Sequence, residues 1–167
     1  MTKIGLISDT HSFLDDAVFE HFKDCDEVWH AGDFGSIEIL EKLQKFKSVR
    51  AVFGNIDSKE IQWQVPENQH FTIENLNVFM THIGGSPPNY NLIVKKQFKV
   101  QIPDIFVCGH SHILRVVRDE KLGGMIYLNS GAAGNEGFHK IRTLMKFVLD
   151  IGKITNLEVI ELGQRGK

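Results

Sequence analysis

Cysteine is scarce in this chain of 167 residues: Cys25 and Cys108 are the only two, widely separated and outside any CxxC arrangement. That usage argues against a disulfide framework and against a thiolate zinc site. Cys108 closes the apolar run Asp104-Ile105-Phe106-Val107-Cys108 and reads as a small core residue. Long apolar runs are missing as well. No stretch approaches the ~20 residues of a membrane span, and Ile4-Gly5-Leu6-Ile7 is too short for a signal-peptide core. Nor is there an excess of basic charge. The 19 Lys and Arg against 21 Asp and Glu give a formal charge of −2, which argues against a broad nucleic-acid-binding surface. No repeat, linker or low-complexity segment is evident. The expectation is one soluble, cytoplasmic domain, long enough to bury roughly two-thirds of its unfolded surface.

What is present is an alternation of strand and helix patterns. Residues 3–8, 27–30 and 49–53 read as short buried strands. Residues 15–23 read as a helix with acidic residues at its start, and Ser36 as the N-cap of a second helix whose apolar face is Ile37, Leu40, Leu43 and Phe46. Such alternation predicts parallel strands with crossover helices. The second half is richer in strands. Residues 71–73 and 78–81 flank the turn Glu74-Asn75-Leu76-Asn77, a helix follows over 91–98, and strands are predicted at 105–108, 114–119, 125–129, 142–150 and 154–162. The predicted fold is α/β: two mixed β-sheets packed as a sandwich and flanked by helices.

Five of the strand-like runs stop at a cluster of Asp, His or Asn. These endings are Asp9-Thr10-His11, Gly32-Asp33, Gly54-Asn55-Ile56-Asp57, Thr81-His82 and Gly109-His110-Ser111-His112. The carboxyl ends of strands in open α/β sheets are where loops converge on ligands. Carboxylates, imidazoles and one amide, without thiolate, suit Mn, Fe, Co, Ni or Zn. The candidate ligands are Asp9, His11, Asp33, Asn55, His82, His110 and His112. These are too many for one tetrahedral zinc and enough for two ions if one carboxylate bridges. The glycines beside them permit tight turns and close backbone approach.

As an ordered set these motifs resemble the calcineurin-like metallophosphoesterase superfamily, whose signature runs D-x-H, G-D, G-N-[H/C]-[D/E], a lone H, then G-H-x-H. The resemblance spans residues 3 to about 162 and is nearest to the small YfcE-like phosphodiesterases, which lack a cap domain. It implies a single domain over residues 1–167 with two divalent ions, manganese the leading choice, and Ni, Fe, Co or Zn as alternatives. Asp9, His11 and His112 would hold the first ion, Asn55, His82 and His110 the second, and Asp33 both. The implied reaction is attack of a metal-bridging hydroxide on a small phosphodiester, with Asn55 also donating to a phosphoryl oxygen. A phosphomonoesterase of the same fold, or a scaffold like the retromer subunit that shares it, is the alternative. A homo-oligomer is compatible with the family, and a nucleic-acid substrate is disfavoured.

Two departures bear on chemistry. Ile56 stands where many members carry a histidine that protonates the leaving oxygen, which predicts good hydrolysis of aryl diesters and poor hydrolysis of alkyl monoesters. The loop after Asn129-Ser130-Gly131-Ala132 carries His139, a candidate proton donor, and Arg142, a candidate phosphate contact. Asp57 and His30 are candidates for supporting roles beside the ligands. His21 and His70 read as surface residues, and residues 84–91 as an irregular loop that could wall the substrate site.

Overall fold

The computed structural model describes residues 1–166. The first half comprises β1 (Thr2–Ile7), α1 (Ala17–Phe22), β2 (Glu27–His30), α2 (Ile37–Phe46), β3 (Ser48–Ala51) and α3 (Lys59–Gln62). It continues with β4 (Asn68–Ile73), β5 (Leu76–Thr81), β6 (Gly85–Ser86), β7 (Asn89–Tyr90), α4 (Leu92–Val100) and β8 (Ile105–Val107). The chain closes with β9 (Leu114–Asp119), a 3-10 turn (Glu120–Leu122), β10 (Met125–Ser130), β11 (Ile141–Asp150) and β12 (Lys153–Gln164).

Two five-stranded sheets result, and each is mixed, as the strand pattern predicts. The first has the order β12-β11-β1-β2-β3, with β1, β2 and β3 parallel and β11 antiparallel to both its neighbours. The second has the order β4-β5-β8-β10-β9, parallel at its centre and antiparallel at both edges. Their inner faces share one core, with Ile4, Leu6 and Trp29 from the first and Val78, Met80, Ile105, Val107 and Leu128 from the second. Trp29 is fully buried between them, edge-on to Phe71 of one sheet and Phe147 of the other. Side chains of this size contribute about 1.5–3 kcal/mol each when removed from water.

Helices cover the outer faces. In α2, Ile39, Leu40 and Leu43 are buried against the first sheet together with Val18 and Phe22 of α1. On the second sheet, Val94 and Phe98 of α4 meet Phe79, Phe106 and Tyr127. Ser36 does precede α2, but its side chain makes no capping bond, whereas Asn91 accepts from the Val94 N–H at 2.8 Å and caps α4. Two elements depart from the sequence reading. Helix α3 is a single turn with only Ile61 buried, too short to display a period. The expected irregular loop at 84–91 instead contains the β6–β7 hairpin, with Gly85 paired to Tyr90 and Ser86 to Asn89. Cys25 and Cys108 are both buried and free.

Candidate metal centre

The parallel strands β1, β2, β3, β5 and β8 all point their carboxyl ends to one side, and the motif residues sit in the loops just beyond. The loop backbone there is unusual. Asp9, His11, Asp33, His110 and His112 hold φ of 54°, 45°, 59°, 67° and 58°. Left-handed backbone outside glycine costs on the order of 1 kcal/mol or more and persists only where the surroundings fix it. Here the Asp9 N–H donates to the Gly32 carbonyl at 3.0 Å and the His11 N–H to the Asp33 carbonyl at 3.1 Å, locking the first loop to the second. Gly54 is required by close approach: a Cβ there would lie 2.0 Å from Asp33 Oδ1.

These loops gather the side chains into two groups, Asp9 with His11 and His112, and Asp33 with His82 and His110, the ligand atoms within each group lying within 4.8 Å of one another. Asp9 Oδ1 is 3.1 Å from His112 Nε2, and Asp33 Oδ2 is 3.1 Å from His82 Nε2 and 3.4 Å from His11 Nε2. Asp33 therefore faces both groups. Asp9 Oδ1, His11 Nε2 and His82 Nε2 are buried without a hydrogen-bond partner among the described residues. Buried polar atoms are normally satisfied, and three unsatisfied ones converging from two loops and a strand end fit a cation. The residues present thus suit divalent metal ions.

The outer hydrogen bonds aim these atoms. Asp9 Oδ2 accepts from Ser8 Oγ at 2.5 Å and from the His110 N–H at 3.1 Å, leaving Oδ1 to face the cluster. Asp33 Oδ1 accepts from the Ile56 N–H at 3.2 Å, leaving Oδ2. His82 Nδ1 donates to the Ala31 carbonyl at 2.7 Å, which fixes the tautomer that presents the Nε2 lone pair. Burial would raise the Asp9 and Asp33 carboxyls, but the imidazoles before them outweigh it and hold both below the usual carboxylate range. Asp33 and Asp9 in turn push the His11 imidazole up to about 10. A cation bound here would take the place of that proton.

Other expected residues fall into place differently. His30 is buried and neutral, pushed down to about 3 by burial. It is stacked on Phe34, its Nδ1 accepts from the Gly32 N–H, and its Nε2 bonds Thr10 Oγ1 at 3.1 Å, so it braces the two ligand loops. Asp57 is more than an auxiliary. Its carboxylate accepts from the backbone N–H groups of Asp33, Gly35 and Gly54 at 3.0, 2.9 and 2.8 Å. Asn55 is exposed at the mouth and lines a cavity with His82. The half-buried His21 and the exposed His70, which stacks on Phe79, lie outside the cluster.

Two expectations are corrected. Arg142 is not placed to contact a phosphate. Its guanidinium is buried, with Nη1 donating to Asp15 Oδ2 at 2.8 Å and Nη2 to the Leu162 carbonyl at 2.8 Å, because β11 carries it inward beside a register shift. Nor does His139 have a proton to offer a leaving group. Its Nε2 lies 2.9 Å from the Gly134 carbonyl, which can only accept, so Nε2 carries the hydrogen. Burial pushes this imidazole below its ordinary value and favours the neutral ring, in which Nδ1, 3.2 Å from His112 Nδ1, is the acceptor and His112 Nε2 is left bare toward Asp9. His139 is therefore placed to orient His112, one of the candidate ligands. His139→Ala is expected to weaken metal binding at the Asp9–His11–His112 group about tenfold, and His139→Gln, whose amide oxygen can accept, to recover part of the loss. Cobalt titration of the metal-free protein, followed by absorbance, measures this; equal affinities in all three proteins would mean the contact is idle. Ser8 and Thr10 escaped the sequence reading, since a small hydroxyl beside a ligand carries no signal of its own.

A two-sheet sandwich with two carboxylate–imidazole groups at its strand ends defines the metallophosphoesterase class. The chain belongs to the calcineurin-like phosphoesterase superfamily, whose domain model matches residues 2–152. It is 32% identical to a probable metallophosphoesterase of Methanothermobacter thermautotrophicus over 77% of this chain and 76% of that one. Among solved structures, an archaeal phosphodiesterase superposes with a TM-score of 0.75 at 20% identity, covering 96% of this chain and 99% of that one. Vps29 of Entamoeba histolytica, solved with zinc, superposes at 0.73 with 17% identity, covering 95% and 98%.

Proposed function

We propose that this protein is a phosphodiesterase working with two divalent metal ions, Asp33 being shared between them. Manganese is the leading candidate, with Ni, Fe, Co and Zn open to the same ligands. The observation that carries this is the pair of ligand groups with unsatisfied atoms directed at a common space, Asp33 Oδ2 standing between His82 and His11. When bound, such ions acidify a water molecule and neutralise charge on the phosphoryl oxygens. The chain's own part is positional. Asp9 and Asp33 each keep one oxygen on backbone or hydroxyl donors and offer the other, His82 and His112 are held in one tautomer, and Asn55, exposed at the mouth, would offer its amide to a phosphoryl oxygen. The scaffold alternative draws its support from the Vps29-like fold, and the six carboxylate and imidazole side chains gathered in two groups support catalysis, with Asn55 proposed as the seventh ligand.

The diester preference rests on Ile56, which is exposed at the site and has no proton to give. A positioned general acid is worth about 10²–10⁴-fold, so a site without one favours a leaving group that departs as a stable anion. Protein reconstituted with Mn, Ni or Zn is expected to hydrolyse bis(p-nitrophenyl) phosphate at least about a hundredfold faster than a simple alkyl monophosphate. Similar rates on both overturn the diester preference. Absence of hydrolysis with every metal, across diesters, monoesters and cyclic nucleotides, overturns the enzyme reading and favours the scaffold.

A further inference from the structure

Beside His110, between the β6–β7 hairpin and the loop that carries the ligand, lies a cavity of about 330 Å³. Its walls are Ile83, Ile113 and Tyr127, with Ser86 and Ser111 adding hydroxyls, and no carboxylate lines it among the described residues. Apart from the ligand His110, its one ionisable side chain of basic type is Arg115, half-buried on β9. Arg50, Arg118 and Arg142 are each paired with a carboxylate, whereas Arg115 is ion-paired with none among the described residues. Its Nη1 donates to Ser86 Oγ at 3.2 Å. The hairpin opposite is held in place from behind. Tyr127 Oη donates to the Gly85 carbonyl at 3.0 Å and the Asn91 N–H to the Gly84 carbonyl at 3.1 Å, so the cavity is preformed.

Across Ile83 lies a second cavity of about 310 Å³, reaching Asn55 and His82, and there the added charge is that of Glu67. The two spaces flanking the metal centre therefore differ in sign. We propose that the Arg115 cavity is a subsite for an anionic group, a carboxylate or a phosphate, borne on the substrate arm that lies beside His110. The assignment of that arm to a diester rests on the phosphodiesterase reading above. A guanidinium offers a planar fork that matches both oxyanions, and charge-assisted bonds of this kind are about twice as strong as neutral ones. The mixed apolar lining accommodates a ring or short carbon arm between the scissile phosphorus and the anion.

The test separates binding from hydrolysis. Three phosphinates that have no ester bond to cleave are titrated calorimetrically into manganese-loaded protein: phenyl(benzyl)phosphinate and its 4-carboxybenzyl and 4-phosphonobenzyl counterparts. One or both charged arms are expected to bind about tenfold more tightly than the uncharged one, the better of the two naming carboxylate or phosphate. Arg115→Ala, and Arg115→Gln which keeps the bulk and a donor to Ser86, are expected to erase that advantage. Equal binding of all three by the unsubstituted protein overturns the proposal, as does an advantage that survives in both variants. Hydrolysis of bis(p-nitrophenyl) phosphate is read in parallel. Its absence with the charged-arm advantage intact sinks the phosphodiesterase reading alone, and its presence without that advantage sinks the subsite alone.

Discussion

Replacing Asp33 by asparagine is expected to cut phosphodiester hydrolysis about a thousandfold, equivalent to several kcal/mol of lost metal-derived stabilisation. It is also expected to reduce the protein from two bound ions to one. The substitution is nearly isosteric, so Oδ1 can still accept from the Ile56 N–H, and Gly54 still has room to pack against the side chain. What changes is the outer edge. The atom 3.1 Å from His82 Nε2 and 3.4 Å from His11 Nε2 is an anionic oxygen in the native chain. In the variant it becomes either an amide nitrogen, which cannot ligate, or a neutral oxygen that cannot balance two divalent charges. Metal content by atomic emission and hydrolysis of bis(p-nitrophenyl) phosphate give the two readings. Retention of two ions together with native rates would show that Asp33 is not shared. Loss of one ion with little loss of rate would show that a single ion suffices.

The strands and main helices were legible in the sequence because each carries its own hydrophobic period. β2 and β9 fall at the expected residues, and β1, α2 and β11 within a residue or two. That Asp9, His11 and His112 come together as one group, and Asp33, His82 and His110 as another, was legible because Asp and His closing several apolar runs have few other reasons to be there, whereas Asn55 stands exposed at the mouth. What was not legible depends on contacts between distant segments. Arg142 looked like a basic loop residue beside His139, yet its partner Asp15 is 127 residues away and only the pairing of β11 brings them together. His139 looked like a free imidazole; that both its nitrogens are engaged follows from the path of the loop, which lays it against His112. Arg115 carried no signal, because its relation to His110 exists only once the β6–β7 hairpin folds over the cavity between them.

The left-handed backbone at Asp9, His11, Asp33, His110 and His112 belongs to the same category. Asp and His tolerate that region better than β-branched or bulky residues do, so the residue types are permissive, but nothing local demands it. The conformation is imposed by bonds between loops, and the cost is met by the sheets that hold those loops. Function and local strain thus coincide at the strand ends, where the ligand atoms are also left unsatisfied.

Asp57 shows how that imposition works, and its loss has a large expected effect on folding. The carboxylate ties the Asp33 loop to the Gly54 loop through three backbone N–H groups, and the Asp57 carbonyl also accepts from Gln62 Nε2 at 2.8 Å, anchoring α3. Burial pushes the Asp57 carboxyl up, against the pull of the N–H bonds that favour its ionised form. Asp57→Ala leaves those donors without their acceptor. Each unsatisfied buried group costs about 1–3 kcal/mol, and water entering the vacated space offsets part of that, so the net destabilisation is expected at about 3–5 kcal/mol, a large share of the roughly 5–15 kcal/mol typical of a domain. At about 2–4 °C per kcal/mol for a chain of this size, Tm should fall by about 10 °C or more. Asp57→Asn keeps one acceptor but turns an NH2 toward donor groups, so its loss should be smaller. Thermal and urea unfolding of the metal-free protein measure the fold, and metal titration of the same variants measures the aim of Asp33. If Asp57→Ala unfolds at the native temperature, the carboxylate is not what joins the two loops. If it is destabilised but binds metal with native affinity, the left-handed turn at Asp33 is fixed by the His11 and Gly54 contacts instead.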